Sequence, residues 1–458
     1  MSRLSVHKAI WLKNPQATFT GNDQNAAGGV VVAGSEIVEL VAAGQTPETR
    51  YGEEVDLSGC VLIPGLINTH HHFYQTLTRC LPTALNKELF PWLKSLYQVW
   101  QHITPEMLTT ASQLAVLELM LSGATTVGDH HYVFSRQLQQ AIDAQVEGLS
   151  QLGARIQLTR GSMSLSEKDG GLPPDSVVQS EDEILADCER VIQRYHQKGA
   201  SARLQVALAP CSPFSVSAQL MRETAALAAQ HNVLMHTHLA ETEDENQFCL
   251  QTYGARPVDY LEQCGWLNER TWLAHGIHFT PAEISRLGKA GVGIAHCPSS
   301  NMLLASGICP TLELQAAGCR VGLAVDGSAS NDCSNMIQEA RQSLLQQRLR
   351  YGATRITAET VLSWATQGGA DIYRRPELGQ IAPGKQADLA IFKLDELRFS
   401  GAADAIAALV TCGAHRVDKL MVAGQWLIEH GKHRFIDEHK LMATHHRKAK
   451  ILWGKAGL

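Results

Sequence analysis

The chain predicts an α/β fold: a (β/α)8 barrel of the TIM type with a small β-sandwich domain built from both chain ends. Three observations carry this expectation. Eight apolar runs recur between residues 61 and 380, and they are separated by segments with helical spacing. Before and after that interval the pattern changes to short β-like runs broken by turn residues. Side chains able to bind a metal ion stand at the ends of several of the eight runs, where a parallel barrel keeps its chemistry.

Residues 1–60 read as short strands at 9–11, 29–32, 36–40 and 54–57. The barrel strands follow at 61–72, 124–131, 154–163, 204–211, 233–241, 271–278, 291–297 and 320–327. Amphipathic helices at 105–121, 181–197, 217–229 and 281–290 suit its outer coat. Two longer connections, 78–100 and 164–178, are placed as lids over the substrate face. Strand-like segments return at 387–393, 408–411 and 419–428. The expected domains are therefore 1–60 plus 381–434 as the sandwich, 61–380 as the catalytic barrel, and 435–458 as a C-terminal helical tail.

Composition removes several classes of function. With 458 residues, 18% charged residues and a net charge of -6, nothing in the composition suggests a surface for a polyanion, so nucleic acid is not an expected partner. No apolar run approaches the ~18 residues that a membrane span requires. Residues 1–8 lack the apolar core of a signal segment, and a cytoplasmic location is expected. The 11 cysteines include no C-x-x-C pair, which argues against a disulfide framework and a cysteine-bound zinc.

The first barrel run ends in His70-His71-His72. On a strand, alternate side chains share a face, so His70 and His72 point together and His71 elsewhere. The fifth run ends in His236-Thr-His238-Leu-Ala-Glu241, the sixth in His275 and the eighth in Asp326. His70, His72, His238 and Asp326 supply three imidazoles and a carboxylate, a fitting set for zinc with room for water. Glu241, beyond the strand end, suits a proton carrier, and His275 is placed to orient a water whose pKa zinc would lower towards ~7.

Other residues leave two readings open. Arg160 closes an apolar run and either pairs with a carboxylate or meets substrate. Trp92, Tyr97 and Trp100 are core aromatics or stacking partners, with Trp92 assigned to substrate. His236 reads as a hydrogen-bonded core residue. His130, His131 and Tyr132 face the site or support its ligands from behind.

The pattern Pro64-Gly-Leu-Ile-Asn-Thr-His70-x-His72, His238-Leu-Ala-Glu241, His275, His296-Cys-Pro-Ser-Ser-Asn301 and Asp326-Gly resembles the amidohydrolase superfamily, in its aminohydrolase and triazine-hydrolase branch. The resemblance covers nearly the whole chain. It implies one divalent metal on His70, His72, His238 and Asp326, with zinc expected and iron(II) the alternative. It further implies that Glu241 shuttles protons to a ring nitrogen, that His275 and Asp326 activate water, and that Gln75 holds the substrate ring. Binuclear members take a bridging lysine from the fourth strand, and the run 204–211 has none.

Related guanine deaminases carry an Arg-Phe pair where this chain has Cys211-Ser-Pro-Phe214, which points away from plain guanine. The stretches 70–79, 159–172 and 209–216 are similar to bacterial 8-oxoguanine deaminases. That likeness implies hydrolysis of 8-oxoguanine to urate and ammonia, with a triazine, a pterin or another aminated ring as the alternative substrate. The expected partners are a small heterocycle and, by analogy, further copies of the chain. A cytidine-deaminase type of zinc site is disfavoured, because its H-x-E and P-C-x-x-C arrangements are missing.

Overall fold

The computed structural model describes residues 9–458; the reading made above of residues 1–8 lies outside them. Eight strands pair side by side in chain order: Leu66–Asn68, Ala124–Gly128, Arg155–Ser162, Leu204–Pro210, Met235–Leu239, Thr271–His275, Gly293–His296 and Arg320–Leu323. All seven pairings are parallel. The two edges meet where Thr69 N–H donates to the Leu323 carbonyl at 3.2 Å and Asp326 N–H to the His70 carbonyl at 3.1 Å. Val325 N–H adds a bond to Asn68 Oδ1 at 3.0 Å. The sheet thus curls into a barrel with its first and last strands adjacent.

The coating helices begin where their sequences carry start signals. Pro105–Leu121 has Thr104 as its cap and proline in the first turn, and Glu181–Tyr195 and Pro281–Lys289 open with reciprocal Ser180–Glu183 and Thr280–Glu283 caps. Among the described residues no helix is long and apolar enough to cross a membrane.

The first barrel strand differs from expectation. The run 61–72 is two strands that belong to different sheets. Cys60–Pro64 pairs antiparallel with Leu389–Lys393, whereas Leu66–Asn68 pairs with the second barrel strand. The chain changes sheet at Gly65, where a Cβ would fall 2.1 Å from Thr125 Oγ1, so only glycine permits the crossing. Both halves are apolar and buried, and the run therefore shows no break in its hydrophobicity. His70 and His72 consequently lie in the loop beyond the strand rather than on it.

The chain ends form two further sheets. One has four strands, Ala9–Lys13, Gly29–Ala33, Glu36–Val41 and Tyr51–Asp56. The other has six and draws on both ends: Ala17–Thr18, Cys60–Pro64, Leu389–Lys393, Lys419–Val422, Gln425–Glu429 and Lys432–His433. Leu12, Val30 and Ile37 of the first share one buried cluster with Leu62, Leu389 and Ile391 of the second. The segment 408–411, expected as a strand, is the end of a helix, Ala405–Thr411, capped by Asp404 through Ala407 N–H at 2.9 Å. A short apolar run has too few residues to show its period.

Arg155 ties the barrel to the six-stranded sheet. Its guanidinium donates to both oxygens of Asp388 at 2.7 and 3.1 Å and to Gln386 Oε1 at 2.7 Å. The last helix, Glu438–Lys455, is anchored beneath the first catalytic loop by His445 to Thr76 Oγ1 at 3.0 Å and Trp453 Nε1 to the Leu77 carbonyl at 2.8 Å.

Candidate metal centre and active site

Three imidazoles converge at the C-terminal mouth of the barrel, and each is held from behind. His72 Nδ1–H donates to the His130 carbonyl at 2.7 Å, and His238 Nδ1–H to the Cys211 carbonyl at 2.6 Å. His70 Nδ1 lies 2.7 Å from His236 Nε2. Because His236 Nδ1 faces the Trp272 carbonyl at 2.9 Å, it carries the proton there, and His70 must donate to His236 Nε2. All three ligand rings therefore present a bare Nε2 lone pair to the same space.

That space contains only acceptors. His72 Nε2 and His238 Nε2 stand 3.2 Å apart, and Asp326 Oδ1 lies 3.2 Å from His70 Nε2 and 3.3 Å from His72 Nε2. His70 Nε2 is buried without a hydrogen-bond partner. Burial also holds the His70 and His238 rings well below the usual imidazole pKa, in the neutral form that binds a metal. Lone pairs and a carboxylate aimed at one point are stable together around a cation, so the donor set fits a divalent ion. His130 also brings a ring nitrogen within 4.8 Å of this group. It stacks flat on His238 at 4.7 Å and donates to the Ala209 carbonyl, which makes it a support for the ligands.

Glu241 and His275 form the opposite side. Glu241 Oε2 is 3.4 Å from His275 Nε2, and Ser306 Oγ–H reaches Glu241 Oε1 at 3.4 Å. His275 Nδ1–H donates to Asn301 Oδ1 at 2.9 Å, and its Nε2 lies 3.9 Å from Asp326 Oδ2. Burial raises the Glu241 carboxyl above its ordinary pKa, against the pull of His275. At His275, burial is outweighed by the charges of Glu241 and Asp326, and its pKa is raised. His275 and Asp326 both adopt left-handed backbone, with φ of 71° and 63°, a strain often concentrated at functional sites. Glu245, pushed up to about 7 by burial, accepts the N–H groups of Ala240 and Glu241 and so fixes the turn that carries Glu241.

A cavity of about 360 Å³ opens onto these groups. Leu89, Trp92, Leu93 and Phe214 form an apolar wall, and Gln75, Ser330 and Tyr132 add polar edges. Gln75 Oε1 accepts from Ala329 N–H at 3.2 Å, while its Nε2 is buried and unpaired. A Cβ on Gly327 would lie 1.9 Å from Gln75 Oε1, so the glycine after Asp326 makes room for that amide.

A model of the amidohydrolase family matches residues 61–427, which include every group described above. The chain belongs to the amidohydrolase family. It is similar to the 8-oxoguanine deaminase of Pseudomonas aeruginosa, with 60% identity over 442 residues, 96% of this chain and 98% of that protein. It is 33% identical over 452 residues to an isoxanthopterin deaminase from an unknown prokaryotic organism, covering 93% of this chain and 94% of the relative. Among solved structures, the atrazine chlorohydrolase of Arthrobacter aurescens TC1 complexed with zinc superposes with a TM-score of 0.90 at 29% identity, over 96% of this chain and 99% of that one.

Within this amidohydrolase site, the geometry brings together His70, His72, His238, Asp326, Glu241, His275, Gln75 and Trp92. Trp92 is held in the wall by its indole N–H bond to the Ala329 carbonyl at 3.0 Å. Arg160 is the exception, and its assignment to substrate is corrected. Its guanidinium bonds Asp187 Oδ2 at 2.8 Å and Gln179 Oε1 at 2.9 Å, lies 3.8 Å from the Phe134 ring centre and does not line the cavity. A buried guanidinium takes the nearest carboxylate, the first of the two alternatives left open above. His71 turns away from the donors and meets Ser334 Oγ at 2.7 Å.

His236 is the hydrogen-bonded core residue expected above, but its partner His70 was not foreseen, nor were the Asn301 contact to His275 and the Ser306 contact to Glu241. The repeat of two between His236 and His238 was the one available signal for the first. Asn301, in the short helix Pro298–Leu303, closes the motif His296-Cys-Pro-Ser-Ser-Asn301, which carried no role for it; Ser306 follows in the loop, where no local pattern reveals its approach.

Proposed function

We propose that this protein is a metal-dependent hydrolytic deaminase of an oxidised purine, converting 8-oxoguanine and water to urate and ammonia. The observation that carries this reading is the 60% identity to an 8-oxoguanine deaminase over 96% of the chain. The convergence of unpaired imidazole nitrogens with Asp326 at the mouth of the barrel supports the metal dependence.

His70, His72, His238 and Asp326 would hold one divalent ion, zinc by preference over iron(II), because imidazole with one carboxylate suits a borderline-soft ion. Bound there, the ion supplies the Lewis acidity that lets water act as a nucleophile at neutral pH. Gln75 offers its free Nε2–H to the edge of the purine, and the apolar wall at Trp92 excludes bulk water from the ring. His275, held by Asn301, points Nε2 between Glu241 and Asp326, where it orients the attacking water. Glu241, whose carboxyl burial raises above its ordinary pKa, passes its proton from Oε2 to the ring nitrogen beside the carbon that bears the amine. As water adds to that carbon, the Glu241 carboxylate takes up the proton the water gives up and passes it to the amine; the C–N bond then breaks, ammonia leaves, and the proton of the new hydroxyl restores Glu241 as the carbonyl forms.

Glu241→Gln keeps the shape of the site and removes the proton carrier. It should abolish ammonia release, by about 10²- to 10⁴-fold or more, while metal content stays at the wild-type level. Full activity in that variant would end this mechanism. An ammonia-release screen over purines, pterins and triazines decides the substrate, and a preference for a pterin or triazine would overturn the purine assignment. Assembly into a homo-oligomer and a cytoplasmic location belong to the same proposal. The exposed Leu303 and Leu349, at 60% and 85%, are apolar surface that an interface would cover, and light scattering of the purified protein tests it.

A further inference from the structure

The barrel has a second opening, at the end away from the metal donors. A cavity of about 860 Å³ lies beneath the N-terminal ends of the third to sixth strands. His196, Lys198, Arg270 and Arg374 line it, and none of its lining residues is acidic. Only Arg374 among these four has a carboxylate within ion-pair distance among the described residues, that of Glu269 at 3.2 Å. Lys198 and Arg270 thus face the space without a counter-charge.

A second observation points the same way. Gln157 is 3% exposed, lines the cavity, and has no hydrogen-bond partner for its Nε2 among the described residues. Arg270 Nε is also buried and, among the described residues, unpaired. Buried donors without acceptors are uncommon in folded proteins. Two of them lining a cavity with uncompensated cations call for a ligand that is anionic and rich in acceptor oxygens. A phosphoryl group meets that description, because a guanidinium presents planar donors that match its oxygens.

We propose that this lower cavity binds a small phosphate-bearing anion, with Arg270 and Gln157 as its donors and Lys198 supplying the positive field. The site is separate from the catalytic end. Tyr373, Trp272 and His236 fill the interior between them, with the Trp272 ring 5.6 Å from Tyr373 and stacked on His236 at 4.2 Å. The proposal does not depend on the deaminase reading.

The test is calorimetric titration of the metal-loaded, full-length protein with inorganic phosphate and with ribose 5-phosphate. Saturable binding is expected in the wild type. In Arg270→Gln and in Lys198→Gln it should weaken by about tenfold or more, while the turnover number for the deaminase substrate stays unchanged. Tighter binding of the sugar phosphate would assign a phosphate ester to the site, and equal binding would assign the free ion. Lys198 is exposed, so its variant remains informative if Arg270→Gln fails to fold. No saturable binding in the wild type at millimolar ligand, or equal binding in wild type and variants, would overturn the site.

Discussion

The two sides of the catalytic mouth are built to different tolerances. On the ligand side, each imidazole has its far nitrogen bonded at 2.6 to 2.7 Å, to a carbonyl or to His236. On the proton side, Glu241 has no side-chain partner closer than 3.4 Å among the described residues. Rings that must stay in place are anchored from behind, and the group that must carry a proton keeps slack. Asp326 touches both sides, at 3.2 and 3.3 Å from His70 and His72 and 3.9 Å from His275. Asp326→Ala should therefore break both at once, with loss of bound metal and a fall in turnover of about 10²- to 10⁴-fold or more. Metal analysis beside an activity assay checks this, and a variant that kept its metal would remove Asp326 from the ligand set.

A narrower cut separates the two sides. His236→Ala takes away the acceptor for His70 Nδ1–H and leaves the ring free to turn. Loss of such a supporting partner typically costs about 10- to 100-fold in metal affinity. Competition with a chelator should show that weakening, and saturating metal should restore turnover, because Glu241 and His275 are untouched. Unchanged affinity would mean that His70 is positioned by backbone alone.

The contrast between the two sides also marks how far the sequence could be read. The donors were visible because a charged or imidazole side chain at the end of an apolar strand has few other uses, and four occur at one end of one barrel. Their anchors were not visible. His236 meets His70 across 166 positions of the chain, and the carbonyls of His130 and Cys211 carry no signature in their side chains. The change of sheet at Gly65 was hidden because Val61-Leu-Ile and Leu66-Ile are equally apolar in both sheets. Arg160 was ambiguous for a similar reason: its partner Asp187 sits on an amphipathic helix, where an acidic residue reads as solvent-facing.

The smallest expected effect tests the slack itself. Burial raises the Glu241 carboxyl; His275 and the Ser306 hydroxyl pull it back by favouring the charged form. Ser306→Ala deletes one of those two, so the Glu241 pKa should move further up. In the proposed reaction Glu241 delivers a proton, so activity is present while it is protonated and is lost as pH rises through its pKa. Without Ser306 that loss should begin at higher pH. Ser306 is not among the groups within ligand distance of one another, so metal content should not change. The pH profile of kcat/KM for wild type and variant measures the shift. A high-pH limb that stays in place or moves down would mean that a group other than Glu241 carries the proton, and the looseness of this side would then need another explanation.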